Sequence, residues 1–147
     1  MPVDPEAADP ALLQDALRTF VRAFGLHQPE NTPCGQAIPV SEAHALGELA
    51  QEGELRQVEL ARRLRLQKST VSRLVGQLTA RGWVERAPAP DDGRGVVLRL
   101  TPSGQQAAHN LADARREKFS RLLDAIPPHE RAGVLHALGV LTEALDE

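Results

Sequence analysis

The chain has no tyrosine, one cysteine, one tryptophan and one methionine among its 147 residues, and only 3% of it is aromatic. A single cysteine cannot close a disulfide within the chain. No apolar run approaches the roughly 18 residues needed for a helix to cross a bilayer, so no membrane partner is expected. The first residues are acidic and Pro-rich, without the basic-then-apolar order of a secretion signal. Together these features point to a cytoplasmic protein. The sequence also lacks a Gly-rich phosphate loop, a GxSxG elbow and an HExxH pair, and its His and Asp residues are scattered, so no enzyme is expected. There is no internal repeat.

What is present is enough apolar residue for a core, 41% of the chain, in a length that suits one domain or two interlocked lobes. The net charge is −3, but it is unevenly spread. Between Arg56 and Arg99 stand ten basic and four acidic residues; the remainder holds seven basic and sixteen acidic ones. Positive charge gathered in one segment of an acidic protein is the footprint of a face that meets nucleic acid.

That segment, Glu59 to Thr101, reads as two short helices, a strand, a polar loop and a second strand. Leu60, Ala61 and Leu64 lie on one face of the first helix, and Val71, Leu74, Val75 and Leu78 repeat the helical period in the second. Ala61 is small where the helices approach, and Arg65-Leu66-Gln67 is short enough to force the bend. Many helix-turn-helix units have Gly where this chain has Arg65. The second helix opens with Lys68, Ser69, Thr70, Ser72 and Arg73. Ser72, Arg73 and Gln77 point away from the apolar stripe. Arg can hydrogen-bond guanine twice in the major groove and Gln can do the same for adenine, while Ser and Thr suit phosphates. The alternatives are a solvated helix face for Arg73 and Gln77, and a plain helix cap for Ser69. Gly76 costs this helix about 1 kcal/mol relative to Ala, and close packing is the expected reason.

Gly82 ends the helix as a left-handed cap would. Trp83-Val84-Glu85-Arg86 alternates as a strand, with Trp83 and Glu85 on one face. Ala87 to Gly95 holds two Pro, two Asp and two Gly, which is loop chemistry. Val96 to Leu100 is the second strand, with Val96, Leu98 and Leu100 on one face. Arg86 and Arg94 are the candidate DNA-contacting residues of this hairpin. Arg94 at its tip is placed to enter a narrow, negative minor groove. Asp92 either holds Arg94 in position or initiates the turn.

These residues resemble the MarR family of bacterial transcription regulators. The resemblance is carried by QVELARRLRLQKSTVSRLVGQLTARGWVER, by DDGR and by LRLTPSGQQA, about a third of the chain between Gln57 and Ala107. It implies a mainly α fold with a small β-wing, in which a winged helix-turn-helix is joined to N- and C-terminal helices that form a dimerisation lobe. Residues 41–101 would be the DNA-binding lobe, and 1–40 with 102–147 the dimerisation helices. It further implies an obligate homodimer on a pseudo-palindromic operator of double-stranded DNA, acting as a repressor released by a small-molecule ligand, a metal or oxidation.

The flanking helices agree in order. The first helix starts at Asp9-Pro10, carries Leu13, Leu17, Phe20, Val21 and Phe24, and ends near Gly25. A second runs from about Ser41, a plausible cap, to Gln51, with Leu46, Leu49 and Ala50 inward and Gly53 closing it. Thr101 caps a long helix to about Ala125. A last helix, from about Pro128 to Leu145, is apolar over so wide an arc that a twin chain is the expected cover, the alternative being the first helix alone. No cofactor is required. Cys34, His44, His109 and Asp113 are the candidates for an effector or zinc site. Cys34 alone could be a peroxide sensor or a plain buried thiol. Set beside the regulator reading are two others: a metal- or redox-sensing variant, and a winged-helix module that binds protein in place of DNA.

Overall fold

The computed structural model describes residues 9–26, 31–32, 37–89 and 95–146. It divides into two compact units, Met1–Ala112 and Asp113–Glu147. The first unit opens with α1, Pro10–Phe24. Asp9 caps it by accepting from the Ala11 amide at 2.9 Å, and Gly25, at φ 95°, closes it. After α2, Val40–Glu52, come the short strand β1, Glu54–Arg56, and then α3, Gln57–Leu64, and α4, Lys68–Ala80. Strands β2, Val84–Pro88, and β3, Val96–Leu100, form the hairpin, and α5 spans Pro102–Ala125. A 3-10 turn, Pro128–Glu130, leads into α6, Arg131–Leu145, in the second unit.

The winged core is built as the periodicity predicts. Leu60 and Ala61 of α3 and Val71, Leu74, Val75 and Leu78 of α4 are buried with Ala45, Leu46 and Leu49 of α2. The first half of α5 joins the same cluster through Ala108 and Leu111. The antiparallel sheet runs β1-β3-β2, with Leu55 opposite Leu98 and Val84 opposite Leu100, all four facing the core.

Several local expectations need correction. The hairpin has a third strand, β1, which three residues cannot announce by alternation. Ser41 lies inside α2, whose N-cap is Pro39 with no side-chain cap bond. Ser69 is likewise inside α4, whose cap position is Gln67, so it is not the helix cap. Ala50 is exposed, and Glu42 and Ala45 take the inward positions. Val96 is exposed, whereas Val97 packs on the opposite sheet face with Ala87 and Ala89. Among the described residues, Gly76 has nothing within 4 Å of where its Cβ would stand, so packing against them does not require it.

The turn between α3 and α4 explains how Arg65 replaces a glycine. Arg65 adopts φ 56°, and among the described residues it has the one positive φ outside glycine. Its amide donates to the Arg62 carbonyl and that of Leu66 to the Ala61 carbonyl, a left-handed helix closure that costs a side chain about 1–2 kcal/mol. Gly82 ends α4 with the same bond pattern at φ 78°.

Candidate nucleic-acid interface

Four buried aliphatic residues hold α4 against the core by one side. Lys68, Ser69, Ser72, Arg73 and Gln77 are exposed on the remainder, and Thr70 is half-buried. No acidic residue stands in the first turn of α4. The partial positive charge of the helix N-terminus is therefore not offset there by a carboxylate.

The cationic footprint is narrower than the residue count suggested. Arg62 is hydrogen-bonded to Glu59, which holds that carboxyl below its usual range, and the Arg62 guanidinium is raised in turn. Arg63 reaches Glu48 at 3.1 Å and Glu52 at 3.0 Å, and hydrogen bonding to Glu48 is the main cause of its raised pKa. Arg99 bonds Glu85 at 2.7 Å across the hairpin, with Glu54 at 3.9 Å on its other side. Arg56 and Arg65 are also engaged. Among the described residues of this segment, Lys68, Arg73 and Arg86 are the exposed cations without an ion pair. Two lie on α4 and the third on β2. Arg94 and Asp92, at the wing tip, lie outside the described residues.

The C-terminal end of α4 is pinned by Thr101, expected as a cap, and by groups that sequence reasoning missed. Glu42 on α2 is 2% exposed and accepts from Arg81 Nε at 2.8 Å. The Arg81 guanidinium lies 5.1 Å from the centre of the Trp83 ring, within cation–π range. The Thr101 amide donates to the Trp83 carbonyl at 3.0 Å. Thr101 Oγ1 also caps α5, accepting from the Gly104 amide at 3.0 Å. Gly104 packs directly on the Trp83 backbone; a Cβ there would stand 1.9 Å from the Trp83 carbonyl oxygen. A signal for Glu42 was available. It shares the α2 stripe with Leu46 and Leu49 at helical spacing, where a charge is tolerated only with a partner.

The described candidates for an effector site lie on two helices, α2 and α5. His44 is exposed on α2. His109, exposed on α5, lines a cavity of about 610 Å³ with Leu49, Glu54, Arg99, Leu100 and Ala108. Asp113 accepts from Arg116 at 3.1 Å, and Cys34 lies outside the described residues. Among the described residues, no group of three or more His, Cys, Asp or Glu side chains could hold a metal ion. No described helix is long and apolar enough to cross a membrane.

Comparison with known proteins agrees with this geometry. The MarR family model matches residues 38–95, which run from α2 to the wing. An uncharacterised HTH-type transcriptional regulator from Mycobacterium bovis is 31% identical over 110 residues, covering 75% of this chain and 77% of the relative. FabT of Streptococcus pneumoniae, solved in complex with DNA, matches in fold with a TM-score of 0.77 at 18% identity, over 94% of this chain and 98% of that one. PcaV of Streptomyces coelicolor, solved with its natural ligand, matches with a TM-score of 0.70 at 23% identity, over 99% of this chain and all of that one.

Proposed function

Since the chain belongs to the MarR family of transcriptional regulators, we propose that it is a ligand-responsive repressor that binds a pseudo-palindromic operator as a homodimer. The observation that carries this reading is α4: a helix anchored by one apolar side and presenting Lys68, Ser69, Ser72, Arg73 and Gln77 on the other. In this reading α4 lies in the major groove. Arg73 and Gln77 meet base edges, and Lys68, Ser69, Thr70 and Ser72 meet phosphates or base edges near the helix start. Arg86 and Arg94 serve the wing, with Asp92 supporting Arg94.

A dimer is supported by apolar surface that neither unit covers by itself. In the first unit, α1 exposes Leu12, Leu13, Leu17 and Phe20. In the second, Phe119, Leu122 and Leu123 are exposed on α5 and Val134, Leu135 and Leu138 on α6. Residues 1–40 and 102–147 accordingly supply the pairing helices and 41–101 the DNA-binding lobe. Two copies would present α4 to half-sites one helical turn apart, about 34–36 Å.

Responsiveness to a ligand is supported by the cavity at His109, whose wall includes Arg99 of the wing strand β3. Zinc or an oxidant acting through Cys34, His44 and His109 with Asp113 is the variant to set against an organic effector. The setting for all of this is the cytoplasm.

The test is a binding titration against duplexes that the protein enriches from a random pool. Arg73→Ala is expected to weaken binding by about 1–3 kcal/mol and to relax base preference. Lys68→Ala is expected to weaken all sequences alike and to lower the salt slope by about 1. Enrichment of no duplex, with retention of a protein partner instead, would favour the interaction-module reading. Repeating the titration with zinc, peroxide and phenolic acids separates the sensing variants.

A further inference from the structure

We infer that Gly76 is a recognition determinant: its missing side chain lets the α4 backbone approach the major-groove floor closely enough for Arg73 and Gln77 to reach base edges. This inference rests on the DNA-docking reading above and deepens it.

Gly76 stands in the middle of α4, where glycine is the poorest helix former after proline. Two ordinary reasons for a glycine are absent. A Cβ there would meet nothing within 4 Å among the described residues, so no described neighbour needs the space. Gly76 is also not among the positive-φ residues, so its backbone conformation is open to any L side chain. With no described neighbour asking for this glycine, a surface outside the chain that comes close to the helix backbone is the explanation put forward.

Its position says what that is. At 100° per residue, Gly76 lies opposite the buried stripe of Val71, Leu74, Val75 and Leu78. It sits one turn beyond Ser72 and Arg73 and directly beside Gln77, all three exposed. When a helix lies in a groove, the side away from its own core meets the floor. A methyl group there would set the helix back by about one C–C bond length, roughly 1.5 Å. Hydrogen bonds to base edges work within a window of about half an ångström, so a setback of that size breaks them.

The experiment uses the full chain and the duplex that it enriches most strongly from a random pool. Gly76→Ala, Gly76→Leu and Arg73→Ala are compared with the parent by titration at several salt concentrations and by thermal melting. Both Gly76 variants should melt higher, by about 2–4 °C for Ala, because the helix loses less entropy on folding. Affinity should nevertheless fall, at least about tenfold for Ala and further for Leu, with an unchanged salt slope because no cation is lost. A Gly76→Ala protein that binds within about twofold of the parent, while Arg73→Ala binds weakly, overturns the inference and leaves the docking reading standing. If Arg73→Ala also binds normally, or no duplex is enriched, the docking reading falls and takes the inference with it.

Discussion

At the scale of single residues, two positions carry more than their chemistry suggests. Gly104 is one of them. Any side chain there collides with the Trp83 backbone, which cannot yield without moving the end of α4. Gly104→Ala should therefore destabilise the fold by about 1–3 kcal/mol, as overpacking does, and should lower operator affinity as well. A urea titration checks the first outcome and a binding titration the second; an unchanged midpoint would show that the contact relaxes freely. Glu59 is the other. Its bond to Arg62 keeps one guanidinium of α3 from acting as open positive charge, and it adds a weaker contact to Arg63, which Glu48 and Glu52 already hold. Glu59→Gln should release part of that charge toward the DNA backbone, raising non-specific affinity and steepening the salt slope by up to about 1. The carboxyl titrates below its ordinary 4.5 in the folded chain, so its contribution to stability is complete above that value and fades as pH falls beneath it.

At the scale of elements, α4 is held at both ends by different means. Its start follows a left-handed Arg65, and its finish is tied to α2 through Glu42 and Arg81 and to α5 through Thr101. Arg81→Ala would leave the Glu42 carboxylate buried without a partner. The full penalty for breaking a buried pair is about 3–5 kcal/mol. Arg81 is 40% exposed, and water can enter once it is gone, so a loss of about 2 kcal/mol is expected in thermal or denaturant melts. The double variant Glu42→Leu with Arg81→Ala should recover part of that loss, since it removes the orphaned charge. Failure of the double variant to recover stability would assign the effect to Arg81 and Trp83 alone. The helices themselves were legible from 3.6-residue periodicity and caps: Asp9, Gly25, Gly53, Gly82 and Thr101 mark ends where their chemistry predicts. Strand β1 was not legible, because three residues opposite β3 become a strand only by pairing.

At the scale of the whole molecule, the governing facts are charge segregation and uncovered apolar surface. The second unit leaves Leu135 67% exposed and Leu138 48% exposed, more than a water-facing helix ordinarily presents at successive positions of one side. If the chain pairs as proposed, Leu138→Glu should shift sedimentation from dimer toward monomer. The same variant should weaken operator binding far more than binding to a single half-site, because the second half-site contact is lost. A variant that still sediments as a dimer would move the pairing surface elsewhere. Net charge works against DNA binding here, and the ion pairs deepen the effect: of the ten basic residues between Arg56 and Arg99, most of those described are already engaged by carboxylates or other groups. Affinity should thus depend on a few phosphates and a close fit, with a shallower salt dependence than the raw count implies.

The sequence alone determined the order of the helices and of the two hairpin strands, the buried stripes of α3 and α4 and the exposed set Ser72, Arg73 and Gln77. These follow from local periodicity, which a helix converts directly into a face. Only tertiary structure decided which cations remain open, because Arg62, Arg63, Arg81 and Arg99 are answered by carboxylates on other turns, helices or strands. It also decided that Gly104 is required by a neighbouring backbone, whereas no described neighbour crowds Gly76. Through-space proximity has no period in the sequence, and it is what converts a list of charges and glycines into a surface.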